Sequence, residues 1–293
     1  MIWFWLAIFS ALLSAAAAIL QKKTLKEMSA LNFSFTVSLF IAVFSTPLLL
    51  LTDTDKLGSA SLFYLLIKSV INAAAFFCIM TALKNLELSR TLPILAASPL
   101  LIALLAYFFL GEDLKSIEVA GMFLVVAGTY ILEIKKNENI FYPFTVFSRS
   151  GYHRIIILAL VLITISSVMD KFILVKFKIP PVLFVVMQNY FFLLIFSAVI
   201  LFSKNKNEVV NYAKDNKTLI LLLLIISVIT IGYRLMQIEA VKLAPVGIVI
   251  SLKRLSVFFA VLIGAKLFRE ENYLKKIIAT ALIVGGAMMI YRD

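Results

Sequence analysis

The segment Ala240–Met288, the most informative about the architecture, reads AVKLAPVGIVISLKRLSVFFAVLIGAKLFREENYLKKIIATALIVGGAM. A shift of 158 residues, from position 82 to position 240, lays Ala82–Tyr130 over it without a gap. Apolar matches arise by chance in so hydrophobic a chain, so the polar and glycine matches carry the comparison. The identical pairs include Ala82 with Ala240, Lys84 with Lys242, Ser98 with Ser256, Leu104 with Leu262, Glu112 with Glu270, Leu124 with Leu282 and Gly128 with Gly286. The sequence therefore contains an internal repeat.

The composition around this repeat is that of a membrane protein. Of the 293 residues, 62% are hydrophobic and only 15% are charged, and the mean hydropathy is +1.04. Soluble domains are about half apolar and a quarter charged, so a soluble fold of this length has no place for so much apolar surface. In lipid that surface is solvated, and helices satisfy their own backbone hydrogen bonds. We therefore expect an all-α membrane protein.

Windows of about 20 apolar residues mark the expected spans. They predict ten transmembrane helices, at Ile2–Leu20, Leu31–Thr52, Ala60–Ala82, Thr91–Leu110, Ile117–Ile134, Arg154–Val175, Pro181–Ser203, Leu219–Val241, Val246–Phe268 and Tyr273–Tyr291. The first segment lacks basic residues before its apolar core, so we expect it to stay as the first helix rather than act as a cleaved signal peptide.

Most predicted connections are short, which favours antiparallel neighbouring helices. The exception is the segment 135–153, whose Lys, Asn, Pro and Gly residues are typical of a linker. The sequence thus predicts a five-helix repeat at 1–134 and a second at 154–293. Because five is odd, the second repeat must enter the membrane in the opposite orientation, which gives two inverted five-helix repeats.

The remaining composition argues against several functions. The formal charge of +12 is spread over many short connections, where anionic lipid is the ordinary partner, so no nucleic-acid surface is expected. One cysteine, Cys78, and one histidine, His153, form no metal-ligand cluster, and no nucleotide or cofactor motif is present. We expect neither an enzyme nor a cofactor or metal site.

Each half carries the same pattern: a helix of small and apolar residues, an acidic residue at the next turn, and a helix with a late glycine. The residues are Gly111–Glu112 with Gly128 in the first half, and Arg269–Glu270 with Gly286 in the second. This pattern resembles the EamA-type branch of the drug/metabolite transporter superfamily over essentially the whole chain. The resemblance implies a multi-pass transporter of small metabolites in a prokaryotic plasma (inner) membrane, and it leaves the substrate open.

Ionisable residues deep in the predicted helices are the strongest sign of a binding site, because each costs at least about 2.5–3.5 kcal/mol at the bilayer centre. They are Asp170, Lys171, Arg234, Lys253 and Arg254, all in the second half. Under the repeat, Arg234, Lys253 and Arg254 fall on Phe76, Leu95 and Ala96. Architectural ion pairs would be repeated in both halves, so this asymmetry predicts a ligand. Four cations against one carboxylate predict an anionic one, such as a phosphate or carboxylate. The alternative is that Lys253 and Arg254 pair with Asp170 and only fix helix packing.

A second resemblance concerns short motifs. The run from Pro245 through Lys253-Arg254 to Phe259 is similar to the ninth-helix Lys-Arg segment of plastid triose-phosphate/phosphate translocators. The resemblance implies that this pair and Lys171 bind a phosphate group, and that Tyr233 and Arg234 contact the substrate. Asp170, next to Lys171, is not part of that pattern. It is expected to be either a counter-ion or a proton site.

Neutral polar residues supply weaker candidates. Gln188, Asn189 and Asn72 are predicted ligand contacts, although interhelical hydrogen bonds explain such residues in most membrane bundles. Glu112 and Glu270 lie at helix ends, where capping or a hinge is expected. Lys68 lies about two turns into the third helix, where it is expected to snorkel to the interface.

Three functions remain open. The leading hypothesis is a secondary transporter of a small anionic metabolite, with phosphorylated metabolites favoured, that works by alternating access in contact with membrane lipids. The second is an exporter of amino acids or other zwitterions, with Asp170 holding the amino group and Arg254 the carboxylate. The third is a membrane protein that handles lipid phosphates.

Overall fold

The computed structural model describes residues 2–85, 95, 97–133, 151–203, 217–256, 259 and 273–291. In these ranges the regular secondary structure is entirely helical, which confirms the expected all-α class. The helices are α1 (Ile2–Thr24), α2 (Ala30–Ser45), α3 (Ser59–Asn85), α4 (Ser98–Leu110), α5 (Ser116–Glu133), α6 (Gly151–Lys176), α7 (Pro181–Leu201), α8 (Lys217–Leu243), α9 (Val246–Lys253) and α10 (Tyr273–Tyr291). A 3₁₀ helix at Thr46–Leu51 continues α2, because Pro47 has no N–H to extend the α-helical ladder.

Six helical segments are long and apolar enough to cross a bilayer: α1, α2 with its 3₁₀ extension, α3, Arg154–Lys176 of α6, α7 and α8. The apolar segments Ser98–Leu110, Ser116–Ile131 and Ile278–Tyr291 are shorter. The predicted fourth and ninth spans lie partly outside the described residues. A multi-pass membrane protein is therefore confirmed, while the count of ten spans stays a prediction.

The equivalent helices α5 and α10 pack closely against each other. A Cβ built on Gly121 would lie 2.7 Å from the Gly286 carbonyl oxygen, and one built on Gly128 would lie 2.8 Å from the Ala279 carbonyl oxygen. The shift of 158 residues turns Gly121 into Ala279 and Gly128 into Gly286, so each contact is the symmetry image of the other. Residue numbers rise along one helix as they fall along the other, so α5 and α10 run antiparallel. This is the isologous contact of a pseudo-two-fold axis, and it makes the repeat an inverted one.

The other helix contacts obey the same symmetry, with α1 to α5 equivalent to α6 to α10. The pair α1–α8 has its image in α3–α6, α1–α9 in α4–α6, α2–α8 in α3–α7, and α2–α3 in α7–α8. Helices α2 and α7 pack on each other across the axis, as do α4 and α9. Small residues permit several of these approaches: Gly247 of α9 lies against Ala103 of α4, and Ser10 of α1 donates to the Tyr233 carbonyl of α8 at 2.9 Å. Both halves therefore build the interior of one bundle.

The glycine crossing gives a direct test of this packing. We expect Gly286→Ala to destabilise the protein by about 1–3 kcal/mol, because its Cβ would lie 2.5 Å from the Gly121 carbonyl oxygen and force α5 and α10 apart. Thermal melting of the detergent-purified protein measures this effect. The neighbour Gly285 is the matched control, since its Cβ would have no atom within 4 Å. Equal melting temperatures for Gly285→Ala and Gly286→Ala would contradict the crossing.

Candidate functional site

A cavity of about 290 Å³ lies at the centre of the bundle, between the two halves. Its lining comes from α1, α2, α3, α6, α7, α8 and α9, together with Leu95 ahead of α4 and Ser256 after α9. The volume is at the lower end of the range for small-molecule sites, which is about 300–1,000 Å³. Of the nine predicted ligand contacts, eight line this cavity: Asn72, Asp170, Gln188, Asn189, Tyr233, Arg234, Lys253 and Arg254.

The carboxylate of Asp170 forms the buried centre of the charge network. Its Oδ1 lies 2.6 Å from the ammonium of Lys68, which is fully buried on α3. Its Oδ2 lies 3.8 Å from the Arg234 guanidinium. Lys68 also donates to Gln188 Oε1 at 2.7 Å and lies 5.1 Å from the centre of the Phe184 ring. The network thus joins α3 of one half to α6 and α8 of the other.

Lys68 was not among the predicted site residues, and the expectation that it snorkels is wrong. Its side chain has no exposed surface, and its ammonium lies 2.6 Å from Asp170 Oδ1. Depth along its own helix could not reveal a partner on α6. A signal was nonetheless present, because Lys68 lies one turn before Asn72, on the face of α3 that the cavity uses.

Arg234 and Lys253 meet at an uncharged group. The Arg234 guanidinium donates to Gln188 Oε1 at 2.8 Å and to Gln237 Oε1 at 3.3 Å. The Lys253 ammonium donates to the same Gln237 oxygen and lies 4.8 Å from the centre of the Tyr233 ring. Two cations therefore share one amide oxygen on the cavity wall. This arrangement provides a guanidinium fork and an ammonium for an anion.

The proposed pairing of Lys253 and Arg254 with Asp170 is not what the structure has, because the ion-pair partners of Asp170 are Lys68 and Arg234. The guanidinium of Arg254 donates to the Ser98 hydroxyl at the first residue of α4, across the interface between the halves. Both residues line or border the cavity from its α9 side.

The two asparagine candidates lie on α7 and α3. Asn189 of α7 donates from Nδ2 to the Ser45 hydroxyl of α2 at 3.3 Å, and Tyr190 shares a 2.9 Å hydrogen bond with Thr46. These bonds tie α2 to α7 beside the cavity. Asn72 reaches the cavity from α3, one turn after Lys68.

Lys171 is the one predicted contact that does not line the cavity. It follows Asp170 by one residue, and adjacent side chains on a helix point about 100° apart. Its ammonium donates to the carbonyls of Val241 and Ala244, both at 2.9 Å, at the C-terminal end of α8. A cation there neutralises the negative end of the helix dipole.

The first half repeats this arrangement. Lys22 of α1 donates to the Leu83 carbonyl at the end of α3, and Leu83 is the repeat counterpart of Val241. The residue before each lysine, Gln21 or Asp170, lines the cavity. A feature that both halves share is architectural, so Lys171 holds the end of α8.

Glu112 links the Lys171 ammonium at the end of α8 to the start of α9. Gly111 closes α4 in a left-handed conformation (φ 65°), and the Glu112 N–H donates back to the Ala106 carbonyl, so Glu112 emerges directly at the turn. Its Oε2 accepts from the Val246 N–H at the start of α9 at 2.9 Å, and its Oε1 lies 3.5 Å from the Lys171 ammonium. The capping role expected for Glu112 matches this geometry.

The capping contact of Glu112 can be tested by substitution, with a small expected effect on stability. We expect Glu112→Gln to lower stability by about 1 kcal/mol, because an amide oxygen can still accept from Val246 but loses the charge that faces Lys171 and the positive end of α9. Thermal melting measures the change, and Asp113→Asn on the exposed neighbouring residue is the control. Indistinguishable melting curves for the two variants would mean that the Glu112 charge contributes nothing.

Comparisons with known proteins agree with the fold. A model of the EamA-like transporter family matches residues 1–134 and 152–292. A solved structure titled "Crystal structure of protein" is similar over 98% of this chain and 95% of that chain, with a TM-score of 0.73 and 18% sequence identity. Identity at that level supports the shared fold alone. No curated protein matches the chain significantly.

Proposed function

Because this chain belongs to the EamA-like transporter family, we propose that it moves a small anionic metabolite, with a phosphorylated compound as the favoured cargo, across the membrane by alternating access. The family itself consists of membrane transporters of small molecules, not enzymes. The choice of anion, the phosphate and the mechanism are the proposal, and so is a prokaryotic plasma membrane as the location.

The main support for an anionic cargo is that Arg234 and Lys253 share the uncharged oxygen of Gln237 on the cavity wall. Asp170 has its strong partner in Lys68, so that pair cancels its own charge. The shared amide oxygen satisfies neither cation as an anion would, since charge-assisted hydrogen bonds are roughly twice as strong as neutral ones. A phosphate or carboxylate that displaces Gln237 from the two donors would replace a weak acceptor with a strong one.

The inverted repeat supplies a route for alternating access. The cavity lies between two halves related by a pseudo-two-fold axis, so a movement that opens one end has a symmetry-related movement that opens the other. Arg254 reaches Ser98 across this interface, and the Lys68–Asp170 pair crosses it as well. Cargo held by Arg234 and Lys253 would therefore sit among contacts that both halves share.

A zwitterion exporter is the second candidate. It is favoured by the Asp170 carboxylate and the Arg234 guanidinium, which lie 3.8 Å apart on one cavity wall and could hold an amino group and a carboxylate. Lys68 weighs against it, because an ammonium already occupies Asp170 Oδ1 at 2.6 Å. Lipid phosphates stay the third candidate, which needs an opening wide enough for acyl chains.

Ligand-induced stabilisation of the purified full-length protein tests the proposal. A ligand that binds only the folded state raises stability by about 2.7 kcal/mol at 100 times its Kd. We expect inorganic phosphate and phosphate monoesters to raise the melting temperature, and neutral leucine to leave it unchanged. Stabilisation by leucine without any by phosphates or by carboxylates that lack an amino group would replace the anion proposal with the zwitterion one. Stabilisation by a phosphatidic acid alone would favour lipid handling.

A further inference from the structure

The two halves present the same positions to the cavity but fill them with different chemistry. Four lining positions of the first half have lining counterparts in the second half under the shift of 158 residues. The pairs are Asn72 with Thr230, Phe76 with Arg234, Ile79 with Gln237 and Leu95 with Lys253. Three of these four pairs set an apolar side chain against a charged or amide one. The backbone symmetry of the cavity is therefore not matched by its surface.

Most of the apolar side chains in the lining belong to α2, α3 and α7, and we call this side the apolar wall: Val37, Ile41, Phe76, Ile79, Met80 and Phe192. The polar lining residues on the same helices are Ser38, Asn72, Gln188 and Asn189. The rings of Phe76 and Phe192 are 6.3 Å apart, and both pack near Phe196 behind them. Arg234, Gln237 and Lys253 line the cavity from α8 and α9, and we call this side the cationic wall. The cavity is thus divided into an apolar wall and a cationic wall.

This division limits what an anion in the cavity can carry. A ligand of metabolite size that puts its anionic group on Arg234 and Lys253 directs the rest of its body to the apolar wall. The polar lining side chains of α2, α3 and α7 are Ser38, Asn72, Gln188 and Asn189, and the two on α7 already bond to other side chains. A body with several hydroxyl groups would leave some of them without partners there, which is costly. A hydrocarbon body would instead exchange water for contact with Phe76 and its neighbours.

Resting on the proposed function, we infer that the cargo is an amphipathic anion: one phosphate or carboxylate held by Arg234 and Lys253, joined to a compact hydrocarbon body that lies against Phe76 and Phe192. The cavity of about 290 Å³ limits the whole cargo to the size of a small metabolite. Phe76 is then a specificity-determining residue, because it decides between hydrocarbon and polyhydroxy bodies without contacting the anion.

Two probes of equal heavy-atom count separate this inference from the broader proposal. Isopentyl phosphate and glycerol 3-phosphate carry the same phosphate, on a five-carbon body and on a three-carbon body with two hydroxyl groups. We expect the purified protein to bind isopentyl phosphate about tenfold or more tightly than glycerol 3-phosphate in a calorimetric or melting-shift titration. Isopentanol, which lacks the anion, should not compete.

Adjacent phenylalanines offer a matched pair of variants. Phe76 lines the cavity, while Phe77 is 37% exposed on the outer side of α3. We expect Phe76→Ala to weaken isopentyl phosphate about tenfold and to change glycerol 3-phosphate less than about twofold, while Phe77→Ala changes neither. Ile79→Ser serves as a second variant on the same wall should Phe76→Ala purify poorly.

The outcomes separate the two proposals. Equal affinity for the two phosphates, or equal loss of both in Phe76→Ala, overturns the amphipathic cargo and leaves the anion transporter standing. Binding of isopentanol with the affinity of isopentyl phosphate overturns the anionic half of the inference. Binding of leucine, with no binding of phosphates or of carboxylates that lack an amino group, overturns the proposed function and this inference with it.

Discussion

Lys68→Met is expected to destabilise the protein by about 3 kcal/mol or more. Lys68 is fully buried and its ammonium lies 2.6 Å from Asp170 Oδ1. Removal of one partner from a buried ion pair leaves an uncompensated charge, which costs about 3–5 kcal/mol. The Arg234 guanidinium, at 3.8 Å from the other carboxylate oxygen, compensates only in part. At about 2–4 °C per kcal/mol, the melting temperature should fall by roughly 6–12 °C.

The double variant Lys68→Met with Asp170→Asn separates charge from packing. It removes both charges, so we expect it to melt at a higher temperature than Lys68→Met alone. Buried ion pairs can often be replaced by neutral residues at little cost, while half of a pair cannot. A double variant that melts as low as the single variant, or lower, would mean that Lys68 stabilises the bundle by packing rather than by its charge.

The same double variant addresses the role of Asp170. The double variant leaves the contacts of Arg234 and Lys253 with Gln188 and Gln237 unaltered in sequence, so we expect both cations to stay on the wall. If Asp170 is only a counter-ion, phosphate binding should persist in the double variant. If the pair carries a proton in the transport cycle, binding should persist while uptake into liposomes loses its dependence on a pH gradient. The pH dependence of uptake therefore distinguishes the counter-ion role of Asp170 from the proton-site role.

The repeat was predictable from the sequence because it includes glycines at positions where a larger residue would prevent two helices from packing closely. A glycine at positions 121, 128 and 286 lets two helices touch backbone to backbone, so the matched Gly128 and Gly286 mark the crossing of α5 and α10. Asp170, Arg234 and Lys253 were predictable for a related reason. A charge within a long apolar helix is tolerated only where it faces other protein or a cavity.

The differences between the predicted site and the observed geometry have a common physical origin, which is that hydropathy gives depth along a helix but not the direction of a side chain. Lys171 has nearly the same depth as Asp170, yet it points to the end of α8. The sequence held a corrective signal in Gln21–Lys22, which repeats the polar–Lys pair of Asp170–Lys171 near the end of the first helix of each half. Lys68 was missed for the opposite reason: the prediction placed it at the interface, but it is buried against Asp170 of the other half. No local sequence pattern identifies a partner in the other half.

Lys253→Gln is expected to weaken phosphate binding by roughly 10- to 150-fold and to reduce uptake of a phosphate monoester in the same proportion. A hydrogen bond to a charged group contributes about 1.5–3 kcal/mol, and each 1.4 kcal/mol is a factor of ten. Glutamine keeps most of the side chain's length and polarity, so the loss measures the charge. Titration with inorganic phosphate and uptake into liposomes give the two readouts.

Two other lysines make the result specific to the cavity. Lys56→Gln changes the same charge at an exposed site outside the helices and should leave both affinity and uptake unchanged. Lys171→Gln is the sharper comparison, because the resemblance to triose-phosphate/phosphate translocators assigns Lys171 to phosphate while its ammonium caps α8. We expect Lys171→Gln to lower the melting temperature and to leave the affinity for phosphate within about twofold. A loss of affinity in Lys171→Gln equal to that in Lys253→Gln would return Lys171 to the binding site. Unchanged affinity and uptake in Lys253→Gln would instead mean that Lys253 contributes only to packing, and would contradict binding of the cargo at the cationic wall.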